Sequence, residues 1–134
     1  MASILLADDD PILRATVGDH LLLAGHSVTE ACDGAEALEA LGQGPFDLLI
    51  VDMLMPETDG LEVILQLRRS DQTMPILAIS SGGRMDISSL LRPAAAFGAT
   101  ATMSKPLLPA PFLEMVERLL SPVGGEEPSG GQAT

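Results

Sequence analysis

Residues 48–51, Leu48-Leu49-Ile50-Val51, form an unbroken apolar run that stops at Asp52. Branched aliphatics in a row leave no polar side. A strand made of them must be covered on both faces, as strands of a parallel sheet are. Pro56 then bars a regular ladder or helix, and Asp59-Gly60 is a turn signal before the next helical stretch. Asp52 therefore stands where a buried strand delivers its last residue to solvent. Open α/β sheets bind ligands at that edge. Read alone, Asp52 is equally an ordinary loop aspartate, so the rest of the chain has to decide.

The same alternation recurs along the sequence. Ser3 to Ala7 reads as a first strand, followed by a helix with Asp10 as cap and Pro11 at its first position. Leu13, Val17 and Leu21 recur at helical spacing and should face the core, and Gly25 closes that helix. Ser27 to Ala31 is a weaker strand. Gly34 to Leu41 is a short helix with Ala37, Leu38 and Leu41 inward. Phe46 to Val51 is the third strand, and Leu61 to Arg69 a helix offering Leu61, Ile64 and Leu65. Pro75 to Ile79 is the fourth strand, ending at the small-residue loop Ser80-Ser81-Gly82-Gly83. Ser88 to Phe97 has helical content but contains Pro93, so that helix is short or kinked. Ala101 to Ser104 is the fifth strand, and Pro111 to Leu120 the last helix, with Phe112, Met115, Val116 and Leu119 on one face. Strand then helix, repeated with short links, predicts an α/β fold: a five-stranded parallel sheet with helices on both faces. The expected domain is 1–121. Residues 122–134 are rich in Gly, Pro and Glu and read as a disordered tail.

Charge narrows the function classes. Lys and Arg number 7 against 19 Asp and Glu, a net charge of −12. That argues against nucleic acid or an anionic membrane as the main partner. Cys32 is the single cysteine, which fits a reducing compartment. No apolar run approaches the length of a membrane span. The start, MASILLADDD, lacks the basic segment of a signal peptide, so a cytoplasmic domain is expected.

In this fold the strand ends share one edge, which would gather Asp8, Asp9, Asp52, Ser80 and Lys105. Carboxylates so crowded make a hard-oxygen site suited to Mg²⁺. With their charge compensated, Asp52 becomes a usable nucleophile toward phosphorus, giving an acyl phosphate. The Lys105 ammonium, the Ser80 hydroxyl and loop N–H groups could stabilise the phosphoryl oxygens.

These residues carry a family resemblance. ILLADDDP resembles the strand-plus-acidic-pair opening of the receiver domains of two-component response regulators. VDMLMPETDG resembles their phosphoacceptor loop, Ser80 falls at their switch Ser/Thr position, and Lys105-Pro106 resembles their Lys-Pro pair. The likeness spans residues 3 to about 120. It implies the flavodoxin-like (βα)5 receiver fold, with Asp52 as phosphoacceptor. It also implies Mg²⁺ held directly by Asp9 and Asp52, by Asp8 through water, and by the backbone carbonyl of Leu54. Ser80 and Lys105 would bond phosphoryl oxygens, and the Lys105–Pro106 peptide would be cis. The implied donor is a histidine kinase or histidine phosphotransfer protein. The output would be binding of a downstream protein through the face between the Pro93 helix and the last helix. The tail is too short to be an effector. A single-domain regulator, a relay intermediate and a phosphate sink all fit. Thr102 stands where many receivers have an aromatic switch residue. Beside the water path to the phosphoryl group the resemblance places Leu54 and Gly82, neither of which can orient a water.

Two other readings are weaker. A hydrolase resembling the haloacid dehalogenase family would use Asp8 of Asp8-Asp9-Asp10 as nucleophile, but it leaves the Asp52 loop unexplained. A flavin module would need a phosphate-cradling loop after the first strand, where three aspartates stand instead. Asp10 reads as a cap only. His20 and His26 read as solvent-facing, Cys32 as inert packing, and the methionines as core filler.

Overall fold

The computed structural model describes residues 2–53, 60–71, 73–80 and 98–121. The elements run β1 (Ser3–Ala7), α1 (Pro11–Leu23), β2 (Ser27–Ala31), α2 (Gly34–Gln43), β3 (Leu48–Asp52), α3 (Gly60–Ser70), β4 (Ile76–Ser80), β5 (Ala101–Ser104) and α4 (Pro109–Leu120). The strands form one parallel sheet in the order β2-β1-β3-β4-β5. The chain steps outward from β1 to β2 and then returns past β1 to β3. Right-handed crossovers therefore put α1 on one face and α2 and α3 on the other. The crevice at that reversal, between β1 and β3, is where such sheets take their ligands.

Each sheet face buries its own core. Leu5, Leu49, Val51, Ile76 and Ala78 pack against Ala37 of α2 and Val63, Ile64 and Leu67 of α3. Ile4, Leu6, Leu48, Ile50, Leu77 and Ile79 pack against Val17 and Leu21 of α1 and Phe112 and Val116 of α4. With every residue of β3 and β4 buried, the central strands are covered on both sides, as the apolar run at Leu48 requires. Phe112 is wholly enclosed, and burial of such a ring contributes about 1.5–3 kcal/mol.

Local signals explain the boundaries. Asp10 caps α1 by accepting from the amides of Ile12 and Leu13, and Pro11 fills the first helical position. Asp33 caps α2 by accepting from the Glu36 amide at 2.8 Å. Gly25, at φ 97°, ends α1 in the left-handed region that glycine enters freely.

Some sequence expectations shift. The third strand starts at Leu48, not Phe46, and includes Asp52. In α3 the expected Ile64 is buried and Leu61 packs against the core, Val63 and Leu67 are buried as well, and Leu65 is only half-buried. His26 is not solvent-facing. It is 9 % exposed, its Nδ1 accepts from the Ala2 amide at 3.2 Å, and its Nε2 donates to Glu117 at 2.9 Å. The helix containing Pro93 and the tail beyond Ser121 lie outside the described residues.

Candidate phosphoacceptor site

Register accounts for the site. Ala7 pairs with Val51 across β1 and β3, so Asp8 and Asp52 are the next residues on neighbouring strands. Side chains alternate along a strand. Asp8 shares its side of the sheet with Ile4 and Leu6, and Asp52 shares that side with Leu48 and Ile50. Lys105 follows Ala101 and Met103 in the same alternation, and those two pack on that face as well. The three side chains thus converge on one side of the sheet edge.

They meet through the ammonium. Lys105 Nζ lies 2.9 Å from Asp8 Oδ2 and 3.2 Å from Asp52 Oδ2. Asp8 is fully buried and Asp52 is 3 % exposed, whereas Asp9 is exposed. Burial works against the Lys105 charge. The hydrogen bond to Asp8 and the nearby charges of Asp52 and Asp8 outweigh it, so its pKa is raised. Asp8 Oδ1 accepts from the Asp10 amide at 2.9 Å. Asp8 Oδ2 faces the Lys105 ammonium, which also reaches Asp52.

Backbone contacts hold the frame. The Met53 amide donates to the Ile79 carbonyl at 2.9 Å, and the Lys105 amide donates to the Ser80 carbonyl at 2.8 Å. Ser80 is fully buried at the end of β4, in the alternation of Ile76 and Ala78 rather than that of Asp52 and Lys105. It joins the frame through this carbonyl. The Lys105–Pro106 peptide is cis, as the resemblance implied. At Gly60 a β-carbon would collide with the Asp52 carbonyl oxygen and stand 2.8 Å from the Met53 Cα. Glycine there lets α3 begin directly against the last residue of β3.

Sequence reasoning thus placed Asp8, Asp9, Asp52 and Lys105 in one locality, and the structure brings them together. Leu54 and Gly82 lie outside the described residues. Two residues were overlooked: Gly60, read only as a turn signal, and Arg14, whose Nη1 donates to the Asp8 carbonyl at 2.6 Å. Asp59-Gly60 directly before a helix was the available signal for the first. Arg14 had none, because its partners are set by the fold.

Carboxylate oxygens of Asp8, Asp9 and Asp52 all lie within 4.8 Å of one another. Octahedral Mg²⁺ with oxygens at about 2.1 Å separates its ligands by roughly 3 Å when adjacent and roughly 4 Å when opposite. The clustering and the all-oxygen donor set of these carboxylates fit that ion. A second cluster, Cys32, Asp33 and Glu36, is occupied by the start of α2. There Glu36 accepts from the Cys32 amide at 2.8 Å, and the hydrogen bond with Glu36 raises the thiol pKa. That fits Cys32 as inert packing. No helix among the described residues is long and apolar enough to cross a membrane.

Comparisons agree with this geometry. The chain is 38 % identical over 104 residues to the transcriptional activator protein PfeR of Pseudomonas aeruginosa, covering 77 % of this chain and 32 % of PfeR. It is 39 % identical over 82 residues to the sensor protein EvgS of Escherichia coli K12, covering 61 % of this chain and 7 % of EvgS. The chain therefore spans a minor part of either relative. The chemotaxis response regulator CheY4 of Vibrio cholerae superposes with a TM-score of 0.80 at 33 % identity, over 90 % of this chain and 99 % of that one. The response regulator receiver domain model matches residues 4–117. The chain belongs to the receiver-domain family of response regulators, the phosphoacceptors of two-component signalling that interact with histidine kinases.

Proposed function

We propose that residues 1–121 form a receiver unit that accepts a phosphoryl group on Asp52 from a partner phosphohistidine. The phosphorylated form then acts by binding another protein. The observation that carries this reading is the bridge from Lys105 Nζ to both Asp8 and Asp52, with Asp9 beside them.

In the transfer, an Asp52 carboxylate oxygen bonds to phosphorus while the P–N bond of the donor breaks. The electron pair of that bond goes to the departing imidazole. Asp52 lies on a strand end held by the Ile79 and Gly60 contacts, so the attacking oxygen is positioned beforehand. Lys105 balances carboxylate charge before transfer, and its ammonium is within reach of phosphoryl oxygens on Asp52 afterwards. Asp8, Asp9 and Asp52, with the Leu54 carbonyl, would hold Mg²⁺. Bound there, the ion supplies charge neutralisation for phosphoryl transfer. Ser80, at the end of β4, would supply a hydroxyl for a phosphoryl oxygen on Asp52. The chain acts as a signalling phosphoacceptor, with slow self-dephosphorylation at most. Its downstream target is expected on the face between the segment around Pro93 and α4.

Phosphotransfer from a labelled phosphohistidine protein tests this. Asp52→Asn should abolish transfer, whereas Asp8→Asn should slow it through weaker Mg²⁺ binding. Label retained by Asp52→Asn and lost completely in Asp8→Asn would favour the hydrolase-like use of Asp8 instead.

A further inference from the structure

Asp8, just past the end of β1, has a backbone problem. Its amide continues the β1–β2 ladder by donating to the Ala31 carbonyl at 3.0 Å. Its own carbonyl would take the next rung from the continuation of β2. That continuation turns away: the Cys32 amide goes to Glu36, and Asp33 becomes the cap of α2. A carbonyl attached to a wholly buried residue is costly to leave without a donor.

Arg14 supplies that donor. One turn into α1, it reaches back so that Nη1 donates to the Asp8 carbonyl at 2.6 Å, while Nε donates to Glu30 Oε1 on β2 at 3.0 Å. Its side chain is only 17 % exposed. A guanidinium is planar, so fixing Nε on Glu30 aims Nη1. The peptide joining Asp8 to Asp9 is also planar. Holding the Asp8 carbonyl therefore fixes the direction in which Asp9 leaves the strand.

We propose that Arg14, braced by Glu30, is the positioning residue that keeps Asp9 aligned with Asp8 and Asp52, so that Mg²⁺ affinity depends on it. The inference rests on the Mg²⁺ reading of the acidic site. Arg14 acts through the Asp8–Asp9 peptide and does not touch the ion or the phosphoryl group.

Calorimetric titration with MgCl₂ tests it, paired with thermal melts in EDTA. Arg14→Lys keeps the charge but cannot serve both acceptors with one fixed fork. It should raise the Mg²⁺ Kd about tenfold. Glu30→Gln keeps an oxygen for Nε and should stay within about twofold of wild type, while Glu30→Ala should fall between. Phosphorylation of Arg14→Lys by a small phosphodonor should regain the wild-type maximal rate at saturating Mg²⁺, with only the Mg²⁺ requirement raised. A merely structural role would lower the melting temperature in EDTA and leave the Mg²⁺ Kd of the folded fraction unchanged. That result, or a rate loss that saturating Mg²⁺ does not restore, would overturn the inference. Mg²⁺ binding that is unchanged in Asp9→Ala would overturn the Mg²⁺ reading itself. Binding that needs Asp9 but ignores Arg14 would overturn this inference alone.

Discussion

Gly60 begins α3 in contact with the backbone of Asp52, so close that a β-carbon would overlap the Asp52 carbonyl. The residue proposed to take the phosphoryl group is thus seated against a helix start that admits no side chain. Gly60→Ala should cost roughly 1–3 kcal/mol of stability, because backbone has to move. It should also slow phosphorylation about tenfold or more by displacing the attacking oxygen. Gly42→Ala is the control, since nothing lies within 4 Å of a β-carbon there. It should leave stability unchanged or raise it by about 0.5–1 kcal/mol. Urea melts of the two variants check this.

Lys105 sets an alkaline dependence. Its folded pKa is raised above the ordinary lysine value. The protonated ammonium therefore favours the folded state at all pH values below the unfolded pKa. That contribution is lost as pH rises through the folded pKa. Wild type should lose stability in that alkaline window, and Lys105→Met should lose less there. At pH 7 in EDTA, Lys105→Met should be less stable by roughly 1–3 kcal/mol, since Asp8 and Asp52 lose their shared cation. Added Mg²⁺ should raise its melting temperature by more than that of wild type.

Adjacent aspartates should divide their roles. Asp10 accepts from the amides of Ile12 and Leu13, so Asp10→Ala should cost about 1 kcal/mol through the lost cap. It should change Mg²⁺ affinity little. Asp9→Ala should do the reverse. Calorimetry and melts on the pair separate the two, and equal effects on Mg²⁺ binding would mean that the register of the acidic run is wrong.

How much of this was legible beforehand follows from range in sequence. β1, β2 and β5 carry the bounds read from local apolar runs. The cap at Asp10 and the stop at Gly25 are local chemistry too. Strand ends on one edge follow from topology, which made the meeting of Asp8, Asp52 and Lys105 foreseeable. His26 was misjudged because a turn position reads as exposed. Its cover, Glu117, lies 91 residues away on α4. Arg14 was overlooked because the Asp8 carbonyl and Glu30 become its partners only when β1, β2 and α1 are in place. In α3, Ile64 is buried and Leu61 packs against the core as expected, but the sheet also takes Val63 and Leu67 in place of Leu65.

Lifetime of the phosphorylated form rests on side-chain chemistry alone. By family resemblance Leu54 and Gly82 would flank the approach of water. Leucine has no donor or acceptor, and glycine has no side chain. A single lost positioning contact of about 1.4 kcal/mol slows hydrolysis roughly tenfold. Decay should therefore be slow and should quicken in Leu54→Asn. Loss of label after removal of donor, compared between the two proteins, checks it. An unchanged or slower rate in the mutant would mean that Leu54 does not govern water access.

The most direct measurement is chemical trapping of the phosphorylated residue. The protein is loaded with a small phosphodonor and Mg²⁺, then treated with borohydride, which reduces an acyl phosphate to the alcohol. The modified residue is located by peptide mass spectrometry. The expected result is reduction at Asp52 alone, requiring Mg²⁺ and absent from Asp52→Ala. Trapping at Asp8 or Asp9, or undiminished trapping in Asp52→Ala, would contradict the assignment of Asp52 as the phosphoacceptor.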